Sequence, residues 1–170
     1  MYDIEVVEVL TKAQYEALMH KLEDKQRKMF DVRSAQQFDT DKKHINDYAL
    51  LHRLKVKRTE SGLSYIVTKE GKGDMPKKGS KMTFHYDGML LSDRVFDATK
   101  DKLPKTVTLG DEKLMSGWEE GLKYFNAGSE GYLLIPSKLA LGSMPLEENE
   151  KVIVPPHSVL IYHIQIVDVK

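Results

Sequence analysis

The residues that could do chemistry in this chain emerge by exclusion. Six histidines, at positions 20, 44, 52, 85, 157 and 163, fall at no metal-ligand spacing and have no cysteine partner, so no zinc or other metal site is expected. With no cysteine there is no disulfide and no thiolate nucleophile. The stretch GKGDMPKKGSK (71–81) has the glycines and lysines of a phosphate loop, but its lysine follows the Gly-Ser pair, and it reads as a turn leading into a strand. HRLKVKR (52–58) is basic without interleaved aromatic residues, which fits a solvated helix end better than a nucleic-acid patch. No Ser, His and Asp set stands at a telling spacing. What remains is a group of large apolar residues beside turns: Tyr86 before Asp87-Gly88, Phe96-Asp97 after Ser92-Asp93, Leu114 and Met115, and Trp118, the single tryptophan. Residues of this kind most often complete a core.

The elements that must position them follow from periodicity. Thr11-Lys-Ala-Gln14 has the spacing of a capping box and opens a helix. Tyr15, Leu18, Leu22, Met29 and Val32 form one stripe; Asp39-Thr40-Asp41 reads as a second N-cap, with Ile45, Tyr48 and Leu51 or His52 on a second helix after a break near Phe38. From Gly62 onward the chain turns to short strands at 62–67, 81–90, 106–110, 129–135 and 159–169, rich in β-branched and aromatic residues. One helix interrupts them, with Ser116-Gly-Trp-Glu119 as a capping box and Gly128 as its stop. Trp118, in its first turn, would face the concave side of the sheet. The expected class is α+β: a curved antiparallel sheet wrapped around one short helix, preceded by a helical extension.

At 170 residues the chain can hold one domain with an appendage. Its 26 basic and 26 acidic residues cancel, so no global field draws it to nucleic acid or anionic lipid. No apolar run is long enough for a membrane span.

HYDGML (85–90), VFDAT (95–99), LMSGWEEGL (114–122) and VIVPPHSVLIY (152–162), in this order and spacing, resemble the FKBP family of peptidyl-prolyl cis-trans isomerases over roughly residues 62–170. The resemblance implies domains at 59–170 (isomerase) and 11–58 (helical linker or extension, similar to those of some bacterial members), with no cofactor. It implies Tyr86, Phe96, Asp97 and Trp118 as the catalytic set, with Trp118 as floor under the proline ring, and Leu114, Met115, Leu141, Ile153 and Tyr162 as further substrate-binding residues. In that reading Tyr86 orients Asp97, and the Ile153 backbone N–H holds a substrate carbonyl. Proline-containing unfolded or nascent polypeptides are the expected partners, and macrolide inhibitors the expected small-molecule ligands. The implied chemistry needs no nucleophile: rotation about X–Pro crosses a barrier of about 18–20 kcal/mol because it breaks amide resonance. An apolar cavity favours the twisted amide, whose carbonyl dipole is weaker.

Two departures from the family pattern stand out. Leu141-Gly142 replaces the usual tyrosine-glycine, removing a hydroxyl donor, and Lys105-Thr106 stands where an aromatic wall is common. The acidic loop SMPLEENEKV (143–152) is longer than in the minimal domain and is expected to overhang the pocket mouth. Reduced isomerase activity is therefore expected, with a chaperone-like peptide-binding module, or one domain of a tandem scaffold, as the competing readings.

The opening YDIEVVEV (2–9) repeats four of the eight residues of YHIQIVDV (162–169). This suggests that residues 1–10 are the remnant of the last strand of a preceding FKBP-like domain, with homodimer formation through residues 2–9 as a consequence. The compartment is open: periplasm or cell envelope if a signal segment was removed, cytoplasm otherwise.

Overall fold

The computed structural model describes residues 11–99 and 103–170; the repeated strand expected at 2–9 lies outside them. The chain divides into two compact units, Met1–Gln37 and Phe38–Lys170. Helix α1 (Lys12–Leu51) opens as its capping box requires: the Thr11 N–H donates to Gln14 Oε1 at 2.9 Å and the Gln14 N–H to Thr11 Oγ1 at 3.3 Å. In the first unit the stripe of Tyr15, Leu18, Leu22, Met29 and Val32 is exposed. No described helix is long and apolar enough to cross a membrane.

The expected break near Phe38 does not occur; α1 is continuous to Leu51. Asp41 caps nothing. Its buried carboxylate instead accepts from the Ser137 N–H (2.8 Å) and hydroxyl (2.6 Å), a tertiary use that local sequence cannot distinguish from a cap. Ile45, Tyr48 and Ala49 bury against Leu134, Val159 and Ile161 on one face of the sheet, while Leu51 is exposed.

The sheet is antiparallel throughout, in the order β1 (Lys57–Arg58), β2 (Ser64–Lys69), β6 (Glu130–Ile135), β9 (Leu160–Val169), β3 (Lys81–Met89), β4 (Val95–Ala98), with β5 (Lys105–Thr108) also on β3. The basic segment expected as a helix end thus supplies strand β1. Along β3 burial alternates, and Met82, Phe84, Tyr86 and Gly88 face the core, as a period of two requires. Register shifts at Val67/Lys69, Thr83/Phe84 and Gly88/Met89 mark bulges, which bend strands and curve the sheet.

Helix α2 (Ser116–Gly121) lies in the hollow, its Trp118 and the following Leu122 packed with Phe84, Leu133, Ile135 and Leu160. Its expected capping box is not made. Met115 is the N-cap and has no side-chain bond, and Glu119 turns away to accept from the Gly110 N–H at 2.7 Å and pair with Lys123 at 2.8 Å. Gly128 does not stop the helix either; α2 ends at Gly121 and tightens into a 3-10 turn at Leu122–Tyr124. Gly128 (φ 82°) instead turns the chain into β6, a conformation that glycine adopts without steric cost. The acidic segment expected as a loop is a hairpin, β7 (Leu146–Glu148) paired with β8 (Lys151–Val154).

Candidate active site

The site begins with Gly88. Its neighbours across the ladders are Asp97 on β4 and Tyr162 on β9. A Cβ at Gly88 would lie 2.9 Å from Phe96 Cζ and 3.0 Å from Tyr162 Cε1, so glycine is what lets those two rings meet edge to face, 5.9 Å between centroids. Gly117 does the same for the helix: a Cβ there would press on Ile135 and stand 3.0 Å from the Leu139 carbonyl oxygen. α2 therefore sits close on the sheet, and Trp118 meets Phe84, Tyr86 and Tyr162 edge-on at 5.5, 5.2 and 5.1 Å.

Above the indole is an open cup of about 290 Å³. It brings together Tyr86, Phe96, Asp97, Leu114, Met115, Trp118, Leu141 and Tyr162, all expected from sequence. Ile153 does not line it: the residue falls at the register shift of the β7–β8 hairpin, and its carbonyl accepts from Arg94 at 2.6 Å. Sequence reasoning missed Lys113, Leu146 and Leu160 as lining residues. Leu160 was within reach, being two residues from Tyr162 and so on the same strand face. Leu146 projects from the hairpin that the acidic loop forms. A larger groove, about 840 Å³, runs along α1 from Leu18 to Gln36 and holds none of these residues.

Polarity is confined to a few atoms. The Tyr86 hydroxyl donates to Asp97 Oδ2 at 2.5 Å, and burial, then this bond and the Asp97 charge, raise the Tyr86 pKa far above the ordinary tyrosine value. Burial, followed by the charges of Tyr86 and Asp97, raises that of Tyr162 similarly. Both phenols thus stay protonated at neutral pH. Among the described residues the Tyr162 hydroxyl has no hydrogen-bond partner, and it is not sealed from solvent. The Trp118 Nε1–H is buried without a partner among the described residues, at a cost of about 1–3 kcal/mol, which fits a ring placed for its surface and not for its bond.

The walls stay in place through one main-chain contact and a set of side-chain contacts. The His157 N–H donates to the Gly142 carbonyl at 2.7 Å, fixing Leu141 beside the Pro-Pro turn. The Tyr48 hydroxyl donates to Asp93 at 2.8 Å, and His52 stacks on Tyr48 at 4.0 Å, anchoring the turn that feeds β4 with Phe96 and Asp97.

Comparison with known proteins agrees with this architecture. Over 116 residues the chain is 39% identical to the FKBP-type peptidyl-prolyl cis-trans isomerase FkpA of Buchnera aphidicola (from Schizaphis graminum), covering 68% of this chain and 44% of that protein. It is 33% identical over 109 residues to the FK506-binding protein of Neisseria meningitidis, covering 64% of this chain and 96% of that one. The crystal structure of FkpA from Escherichia coli superposes with a TM-score of 0.63 at 27% identity, over 95% of this chain and 74% of that chain. The chain spans less than half the length of the FkpA relative from Buchnera. Residues 72–167 match the FKBP-type peptidyl-prolyl cis-trans isomerase family, and with an indole-floored cup set between such a sheet and its short helix, the chain belongs to that family.

Proposed function

We propose that residues 59–170 form an isomerase domain that accelerates X–Pro rotation in folding polypeptides by non-covalent binding of the twisted amide. The observation that carries this reading is the cup itself, a hollow floored by Trp118 and walled by Tyr86, Phe96, Leu141 and Tyr162. A proline ring resting on the indole exchanges water for aromatic surface. As the C–N bond twists, the carbonyl dipole weakens and the nitrogen loses its share of resonance, so removal from water costs the twisted amide less than the planar one. Asp97, held by Tyr86, is the fixed negative pole beside that bond. With leucine at 141, the Tyr162 hydroxyl is the donor placed to meet a substrate carbonyl, and Ile153, which has no register partner on β7, is the further candidate through its N–H.

Rates of cis–trans exchange in short proline peptides test the reading. Acceleration that falls by an order of magnitude or more in Trp118→Phe supports it, and no acceleration by the native chain ends it. The same cup supports binding of a macrolide whose ring imitates the prolyl imide, read as competition in that assay. Association of two copies through residues 2–9 remains part of the proposal, and sedimentation at rising concentration that finds monomers alone removes it.

A further inference from the structure

The cup carries charge on its rim that isomerisation as such does not use. Lys105, on β5, and Lys113, just before α2, are both exposed and both line the cup. Nζ of Lys105 lies 5.4 Å from the centroid of the Trp118 ring, over the surface a proline would occupy. Neither ammonium group has a carboxylate within ion-pairing distance among the described residues, whereas Lys123, a short way along the chain, is paired with Glu119 at 2.8 Å. Asp97, the carboxylate that lines the cup, accepts a hydrogen bond from the Tyr86 hydroxyl. From the acidic hairpin Leu146 reaches the cup, while Glu147 and Glu148 do not line it. The rim thus presents two cations toward whatever lies on the indole.

We infer that this cup selects X–Pro bonds in which the residue before proline is acidic, with Lys105 making the contact and Lys113 adding to the field. The inference rests on the isomerase reading. The Lys105 side chain is itself exposed and its ammonium stands near the outer limit of a cation–π contact, so an arriving proline displaces it from the indole but, because its stem is anchored on β5, not from the neighbourhood. The preceding residue is the neighbour that stays close in both isomers: its Cα is about 3.8 Å from that of proline in the trans form and about 2.9 Å in the cis form. A carboxylate on that residue meets the displaced ammonium in a partly desolvated setting, and a lysine side chain there meets repulsion.

Exchange NMR on peptides identical except for Glu, Gln, Leu or Lys before proline tests the inference without a coupling protease. For the native chain, kcat/KM should be about three- to tenfold higher on Glu-Pro than on the isosteric Gln-Pro at low ionic strength. That ratio should shrink toward one as salt approaches about 0.5 M. Lys105→Gln should bring the ratio close to one, and Lys105→Glu should make Lys-Pro the better substrate. Lys113→Glu serves as the second variant, with circular dichroism checking the fold of each. Equal rates on Glu-Pro and Gln-Pro, or a Glu preference unchanged in the lysine variants, overturns the inference while leaving an active isomerase. No acceleration on any peptide overturns the isomerase reading itself.

Discussion

The roles proposed for Trp118, Leu141 and Tyr162 differ physically, and variants separate them. Trp118 supplies surface. Trp118→Ala should destabilise the domain by about 3–5 kcal/mol, since it removes a buried ring in edge contact with three others, and denaturant unfolding would measure it. The milder Trp118→Phe isolates the catalytic effect. Leu141 and Tyr162 bear on the missing hydroxyl. Restoring it with Leu141→Tyr should raise kcat/KM a fewfold, and Tyr162→Phe should lower it by about three- to tenfold, the worth of one hydrogen bond, with little change in stability because that hydroxyl has no protein partner among the described residues. A Tyr162→Phe protein with native activity would show that the phenol oxygen plays no part.

Among the elements, the end of α1 and the turn before Leu141 depend on one carboxylate. Asp41 accepts two hydrogen bonds from Ser137, at the start of the 3-10 turn Ser137–Leu139. Asp41→Ala strands both donors and should cost about 1.5–3 kcal/mol, while Asp41→Asn should cost less. Thermal unfolding of the two variants checks the order. This contact is also where the sequence was least legible. Asp39-Thr40-Asp41 has the composition of a cap, and a cap and a tertiary acceptor use the same side chains. The hairpin at Leu146–Val154 was hidden for a related reason: its acidic residues are exposed on a two-stranded ribbon and carry no alternation of burial. By contrast β3 and β9 were plain, because strands that bury one face must alternate.

For the whole molecule, three buried phenols set the alkaline limit. Burial first, then the hydrogen bond to Asp93 for Tyr48, the hydrogen bond to Asp97 for Tyr86, and the charges of Tyr86 and Asp97 for Tyr162, raises the pKa of all three. The folded state therefore holds these protons more tightly than the unfolded chain, whose tyrosines titrate near pH 10 or about there. Stability from this source is fully present below that pH and is lost as pH rises through the folded values. Denaturant midpoints should be level from about pH 6 to 9 and fall by about pH 11, and Tyr86→Phe should soften the fall. The compact unit Phe38–Lys170 contains the sheet, the cup and the buried end of α1, so a fragment with those bounds should fold and keep the isomerase rate of the full chain.

By itself the sequence determined the strand alternation, because strands that bury one face must alternate, and the resemblance of its motifs pointed to the family and to most of the cup, whose apolar residues beside turns would alone read as core. Only the tertiary structure decided that α1 continues unbroken past Phe38, that Asp41 reaches Ser137, that Lys113 lines the cup and that the Lys105 ammonium lies over the indole. Those are contacts between residues far apart in the chain or directions taken by exposed side chains, and neither leaves a period that a linear pattern can record.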